Sequence, residues 1–456
     1  MNTEQKTSIE PYFLGPKSEN ENWVRNQIDS ILDHWFQWRK SLFTKDQPAV
    51  KADQMESKTY QKKLQNIASH LETLNELLKS ESPTYSPRYI GHMVSEISLP
   101  AILGHFSTLL HNPNNTSAEV ARVGGVLEKE GIEMLLELVG YDPRLGKGHF
   151  TSGGTLANFE AIWRARFRMD HWLTAALFLK EQKDRKFDVF GDSLMGWKNF
   201  DQLCENYKLD TQLMRQYSLT AGNPWRVASL IARHGPKNFE GPVLLIPGNK
   251  HFSWQKGCNL FGFGEEALWS IPLDDQGKLD PQALKALIES AHQKSRPILM
   301  VVSVAGTTET GEIDPVHEVQ DLLDQLKKEK GWDIWHHVDA AYGGFMCTLT
   351  HNPALAEKVA TAEQLSALKA IARSNSVTMD PHKLGYVPYS CGAFLVPDEQ
   401  NYAVSQFMAP YLDRPDLSQH KWSSTIEGSR AASGASATWL TGKCMPFVES
   451  DFATII

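Results

Sequence analysis

The apolar positions of the first hundred residues fall at helical spacing. Trp23, Ile28, Ile31, Leu32, Trp35 and Trp38 form one stripe, and Leu64, Ile67, Leu71, Leu74 and Leu78 a second, ahead of a Ser-Pro-rich break at 80–87. Each stripe predicts an amphipathic helix whose apolar face is used for packing. Beyond about residue 120 the pattern changes to short apolar runs alternating with amphipathic segments. The runs 243–246, 297–304, 334–338, 376–379 and 391–396 are strand-length and rich in β-formers. Between them, 281–293 and 315–328 read as helices, each opened by Asp-Pro. Asp280 or Asp314 would supply the N-cap oxygen, and proline would take the first helical position, where its missing N–H costs nothing. Residues 181–240 are polar and irregular and read as an insertion. The alternation predicts an α/β domain on a largely parallel sheet, with its chemistry at the carboxyl ends of the strands.

Composition narrows the class. Of the 456 residues, 41% are apolar and 22% charged, which excludes a disordered chain. A net charge of −8 argues against a nucleic-acid surface. No window approaches the roughly 18 uninterrupted apolar residues of a membrane span, and the N-terminus lacks the basic-then-apolar order of a secretory signal. The five cysteines form no C-x-x-C pair. These features point to a soluble cytoplasmic enzyme.

Three segments carry candidate chemistry. His337-Val-Asp339 closes an apolar run and is followed by Ala-Ala-Tyr-Gly-Gly. Strand alternation puts His337 and Asp339 on one face. A buried Asp there needs a cationic or hydrogen-bonding partner, and the small residues after it let a flat ligand approach. A metal site on His336, His337 and Asp339 is disfavoured, because the adjacent histidines face opposite ways and no spaced third ligand completes a set. The second segment is Ser-Val-Thr-Met-Asp-Pro-His-Lys, ending at Lys383. A lysine held after a strand and a proline-fixed turn, among apolar and small residues, can serve as a nucleophile. The third is Thr151-Ser-Gly-Gly-Thr155 leading into a helical run over 156–180, a combination suited to a phosphate. Its spacing matches neither G-x-x-x-x-G-K-[ST] nor G-x-G-x-x-G. Together the segments describe one ligand: a phosphate, a ring nitrogen wanting a carboxylate, and an aldehyde wanting an amine. That ligand is pyridoxal 5'-phosphate.

With these motifs the chain resembles the group II pyridoxal-phosphate decarboxylases, and within them the bacterial tyrosine decarboxylase branch. The likeness runs from Arg88-Tyr-Ile-Gly-His-Met93 to Glu427-Gly-Ser-Arg430, and Asp-Pro-His-Lys-Leu-Gly-Tyr-Val-Pro-Tyr is among its most discriminating stretches. The resemblance implies a fold-type I, aspartate-aminotransferase-like large domain over 116–440, with a mixed, mostly parallel sheet. It also implies an N-terminal helical segment over 1–115 that embraces a partner subunit in a homodimer. The stretch 441–456 reads as a divergent tail, with the family's C-terminal small domain absent.

By resemblance, Lys383 would hold the cofactor as its internal aldimine and Asp339 would keep the pyridine nitrogen protonated. Gly154 and Thr155 would take the phosphate, with His382 nearby. His251 would stack on one ring face and Ala341 would pack on the other. Thr308, with Thr307 as its competitor, would contact the cofactor. Tyr411 would protonate the carbanion, with His251 as the alternative donor, and His92 and Met93 would edge the substrate pocket. The implied activity is decarboxylation of an L-amino acid, aromatic and tyrosine first. Glutamate decarboxylation and a cofactor-binding chain without activity are the rival readings.

Overall fold

A computed structural model describes residues 9–91, 93–405 and 421–456. Two compact units are distinguished, one formed by the described residues of 10–99 and the other by those of 100–456 with Ile9.

The smaller unit carries two 21-residue helices, α1 (Glu21–Ser41) and α2 (Lys58–Leu78). The stripes do form helices, and Ser57 caps α2 by accepting the Tyr60 N–H. Within the smaller unit their predicted packing is not found among the described residues. Neither helix buries a residue, and Trp23 is 50% and Ile67 62% exposed. Helical periodicity dictates which face is apolar but not what covers it.

The larger unit is built on a seven-stranded sheet: β1 (Lys147–Thr151), β2 (Val243–Pro247), β3 (Leu268–Ile271), β4 (Ile298–Val304), β5 (His336–Asp339), β6 (Ser376–Met379) and β7 (Gly392–Val396). Its order is β1-β7-β6-β5-β4-β2-β3. β7 is antiparallel to both neighbours and the other pairs are parallel. β2, β4 and β7 are buried along their whole length. That explains why they read as unbroken apolar runs rather than alternating ones. β1 and β3 escaped the apolar-run criterion. β1 is Lys-Gly-His-Phe-Thr, and β3 has only four residues, three of them partly or fully exposed.

Helices cover the sheet: α3 (Gly124–Leu138), α4 (Gly154–Lys183), α5 (Trp197–Tyr207), α6 (Pro224–His234), α7 (Ser253–Leu260), α8 (Pro281–Gln293), α9 (Val316–Lys330), α10 (Ser433–Cys444) and α11 (Ser450–Ile455). Residues 181–240 are therefore largely helical rather than irregular. Asp210 and Asn223 cap helix starts there, and Val227 and Ile231 on α6 join the core. Short, capped helices with a narrow apolar face leave little periodic signal. α8 starts as expected, with the Asp280 carboxylate accepting the Gln282 and Ala283 N–H groups.

Asp314 does not cap α9. Its carboxylate turns inward and accepts the Leu279 and Val304 N–H groups at 2.8 and 2.7 Å, which ties the end of β4 to the segment before α8. The helix starts after Pro315 instead. An inward turn wins because two buried N–H groups would otherwise lack acceptors. Burial raises the Asp314 carboxyl to about 6.

The 30-residue α4 lies across the sheet with apolar and polar sides both buried. Its Glu160 pairs with Arg164, accepts the Ile426 N–H and lies 3.2 Å from His149 Nε2 of β1. Arg164 also donates to the carbonyls of Tyr402 and Ser424. One buried ion pair thus ties β1 to two distant segments. Removing one member of such a pair costs about 3–5 kcal/mol. At the chain's end, Phe447 and Phe452 pack against Phe345, and the Tyr386 hydroxyl donates to the Ile455 carbonyl. No helix among the described residues is long and apolar enough to cross a membrane.

Candidate active site

Because β1, β2, β4, β5 and β6 run the same way, their carboxyl ends share one edge of the sheet. Along it lie 151–155, 248–253, 305–308, 339–344 and 380–383. Asp339 ends β5 in register with Val304 of β4 and Thr378 of β6. Its carboxylate accepts Asn158 Nδ2 at 2.8 Å, Trp254 Nε1 at 3.1 Å and the Ala341 N–H at 3.3 Å. Oδ2 takes the first two. Oδ1 has only the long backbone contact and so retains room for one more donor.

β6 delivers Asp380-Pro-His-Lys. The Lys383 amine lies 3.3 Å from Asp380 Oδ2, and His382 Nε2 lies 3.4 Å from the same oxygen. His382 Nδ1 accepts the Cys391 N–H, and its ring stacks on Tyr389 with centroids 4.2 Å apart. Burial and the neighbouring Lys383 hold His382 down at about 4.

β1 delivers the glycine turn. Gly392 at the start of β7 approaches it so closely that a Cβ there would meet the Gly153 backbone at 2.6 Å. Gly154, the first residue of α4, faces Asp380 and Ala341. A Cβ at 154 would lie 2.8 Å from Asp380 Oδ2 and 3.1 Å from the Ala341 methyl. The free N–H groups of a long helix therefore open beside Lys383, in a cradle that glycine keeps clear. That is the donor set an anionic phosphate requires, next to the amine an aldehyde requires and the carboxylate a ring nitrogen requires. These residues fit pyridoxal phosphate.

His251, before α7, is half-buried. Its Nδ1 lies 2.9 Å from Ser253 Oγ and 3.2 Å from the Ser253 N–H. Burial lowers its basicity, Lys383 and Lys256 act in the same direction, and Asp339 opposes them. Of the two threonines after β4, Thr307 is buried. Its hydroxyl accepts the Glu312 N–H and pairs with Thr310, whereas Thr308 is exposed. Met93 belongs to the smaller unit, with φ 60°. His92 and Tyr411 lie outside the described residues.

Four residues here were not singled out from the sequence. Asn158 lies one helical turn beyond Gly154 and so on the same face of α4, a spacing that could have flagged it. Ser253 and Trp254 follow His251 directly. Asp380 stands inside the lysine motif, 2% exposed, and its Oδ1 has no hydrogen-bond partner among the described residues. Burial raises the Asp380 carboxyl to about 7, against the pull of Lys383 and with Asp339 adding to the rise.

A raised carboxyl makes folding less favourable as pH climbs. The unfolded Asp380 loses its proton near pH 4, the folded one only near pH 7, so its contribution to stability is lost across that window. Asp380→Asn should therefore flatten the pH profile of thermal unfolding of the cofactor-free protein. At pH 8 it should stabilise that form by about 1–3 kcal/mol. Parallel profiles for the two proteins between pH 4 and 8 would refute this burial argument.

The chain is similar to known proteins over most of its length. The pyridoxal-dependent decarboxylase conserved domain matches residues 229–444. The chain is 29% identical to the L-tyrosine decarboxylase of Levilactobacillus brevis, over 95% of this chain and 70% of that protein. It is 26% identical to the L-2,4-diaminobutyrate decarboxylase of Acinetobacter baumannii, over 76% of this chain and 55% of that protein. Among solved structures, mouse CSAD superposes with a TM-score of 0.60 at 21% identity, covering 91% of this chain and 68% of that one.

Proposed function

We propose that this chain is a pyridoxal-dependent amino-acid decarboxylase and that it removes the carboxylate of an aromatic L-amino acid, converting L-tyrosine to tyramine. The observation that carries the reading is the convergence of Lys383, Asp339 and the Gly154 cradle on one sheet edge. The likeness to L-tyrosine decarboxylases supports the choice of substrate.

Pyridoxal phosphate supplies the electron sink for the charge left on the substrate when CO₂ departs. In this reading Lys383 binds the cofactor covalently, and the N–H groups of Gly154 and Thr155 receive its phosphate, with His382 beside them. Asp339 holds a proton at the ring nitrogen. His251 and Ala341 would hold the ring from its two faces, and Thr308 would contact it from the β4 loop. His92 and Met93 contribute to substrate recognition, and Tyr411 supplies the proton to the substrate carbon. A second copy of this chain covers the apolar stripes of α1 and α2, including Trp23, Ile67, Leu71 and Leu74, all at least half exposed. A homodimer supplies that cover without a different partner. Cys204, Cys258, Cys347 and Cys391 form no disulfide among the described residues, which suits a cytoplasmic enzyme.

Purified protein loaded with pyridoxal phosphate should release labelled CO₂ from carboxyl-labelled L-tyrosine and yield tyramine. L-glutamate, L-aspartate and L-2,4-diaminobutyrate should give at least about tenfold less, the lower end of what a difference in apolar pocket contact supplies. Preference for any of those three would overturn the substrate. Cofactor uptake without CO₂ from all four would overturn the activity for this chain.

A further inference from the structure

We propose that Ser253, oriented by Asn158, is a positioning residue that holds His251 as the neutral imidazole with its proton on Nε2. The inference deepens the proposed function, resting on it only in that His251 faces the cofactor.

Its basis is a run of buried and part-buried hydrogen bonds whose direction is fixed at the Asp339 carboxylate and at the Ser253 backbone N–H. Trp335 Nε1, a group that can only donate, lies 2.9 Å from Ser376 Oγ. Ser376 accepts there, and its own hydrogen goes to His337 Nδ1 at 2.8 Å once Asn158, held by Asp339, turns its oxygen to His337 Nε2. His337 is fully buried, so its ring is neutral, and with Nδ1 accepting, its proton sits on Nε2. That N–H is shared between Asn158 Oδ1 and Thr378 Oγ1, each at 3.3 Å. With its oxygen toward His337, Asn158 presents its amide hydrogens to Asp339 Oδ2 at 2.8 Å and to Ser253 Oγ at 3.0 Å. Asp339 fixes that orientation, since a carboxylate oxygen needs the N–H side of the amide.

Ser253 Oγ, having accepted from Asn158, donates to His251 Nδ1 at 2.9 Å. The Ser253 backbone N–H points at the same nitrogen from 3.2 Å. Two donors on Nδ1 leave Nε2 as the site of the proton. Protonating the ring would set N–H against N–H and force the serine hydroxyl to reverse. The charged groups that face His251 are Asp339, which favours an imidazolium, and Lys383 and Lys256, which oppose it. His251 is therefore held as a flat neutral ring, and the proton delivered to the substrate carbon comes from another group.

The test uses cofactor-free protein labelled with ¹⁵N-histidine, with the His251 signals assigned by their loss in His251→Gln. At neutral pH, Nε2 should appear protonated and Nδ1 unprotonated. A proton on Nδ1, or a cationic ring, would overturn the proposal whatever substrate the enzyme takes. In Ser253→Ala one donor to Nδ1 is gone, so the proton affinity of His251 in a pH titration should rise about threefold to tenfold. Ser253→Thr should restore the original value. An unchanged titration in Ser253→Ala would leave the serine no positioning role, and the wild-type tautomer decides the question even where that variant fails to fold.

Discussion

Replacing Lys383 by alanine should lower decarboxylation by a factor on the order of 10⁴ or more, because the variant loses the amine that binds the cofactor covalently. The side chain is 18% exposed, so its removal leaves the core intact and the protein folded. The assignment has identifiable competitors. Lys250 and Lys256 flank His251, but each amine is engaged elsewhere. Lys250 donates to Ser270 Oγ at 3.1 Å, and Lys256 lies 4.4 Å over the Phe252 ring. Borohydride reduction of the loaded protein followed by peptide mapping should place the pyridoxyl group on Lys383. Label on Lys250 or Lys256 would overturn the assignment, as would an alanine variant that keeps its activity.

The second large effect is expected at Asp339. Asp339→Asn preserves the side-chain shape, and its amide oxygen can still accept from Asn158 and Trp254. What it loses is negative charge at the point where a ring N–H would sit. A preorganised charge in a water-poor site is worth far more than the same charge in water. The variant should bind pyridoxal phosphate, as followed by its absorbance, yet turn over about 10²- to 10⁴-fold more slowly. Excess cofactor should not rescue it, which separates lost chemistry from lost binding. Near-normal turnover would remove Asp339 from the role of holding the ring proton.

Much of the candidate site is legible in the sequence because its chemistry is carried by short contiguous segments. Asp339 follows an apolar strand, Lys383 follows Asp-Pro-His, and Gly154 opens a helix. Each pairing of residue type with element type implies its own ligand group. Asp380 shows where that legibility stops. Its position in the motif is plain, but its basicity is set by burial between Gly154, Ala341 and Lys383, segments more than two hundred residues apart in part.

For the fold, the sequence by itself determines the core strands and a locally capped helix start such as Asp280-Pro281. A strand buried on both faces must be apolar throughout, as β2 and β4 are. A capped helix start is a local event, as at Asp280. Only the tertiary structure decides where a polar residue spends its hydrogen bonds. Asp314 abandons the helix cap for two buried N–H groups. His149 enters a strand that looks polar because Glu160 and Tyr402 meet it in the interior. Asn158, Ser253 and His337 are ordinary residues along the chain and become one directed network only when α4, α7 and β5 meet. Local sequence specifies apolar periodicity, whereas the partner of a buried polar group is set by the folded chain, since leaving that group unpaired costs more than any local preference supplies.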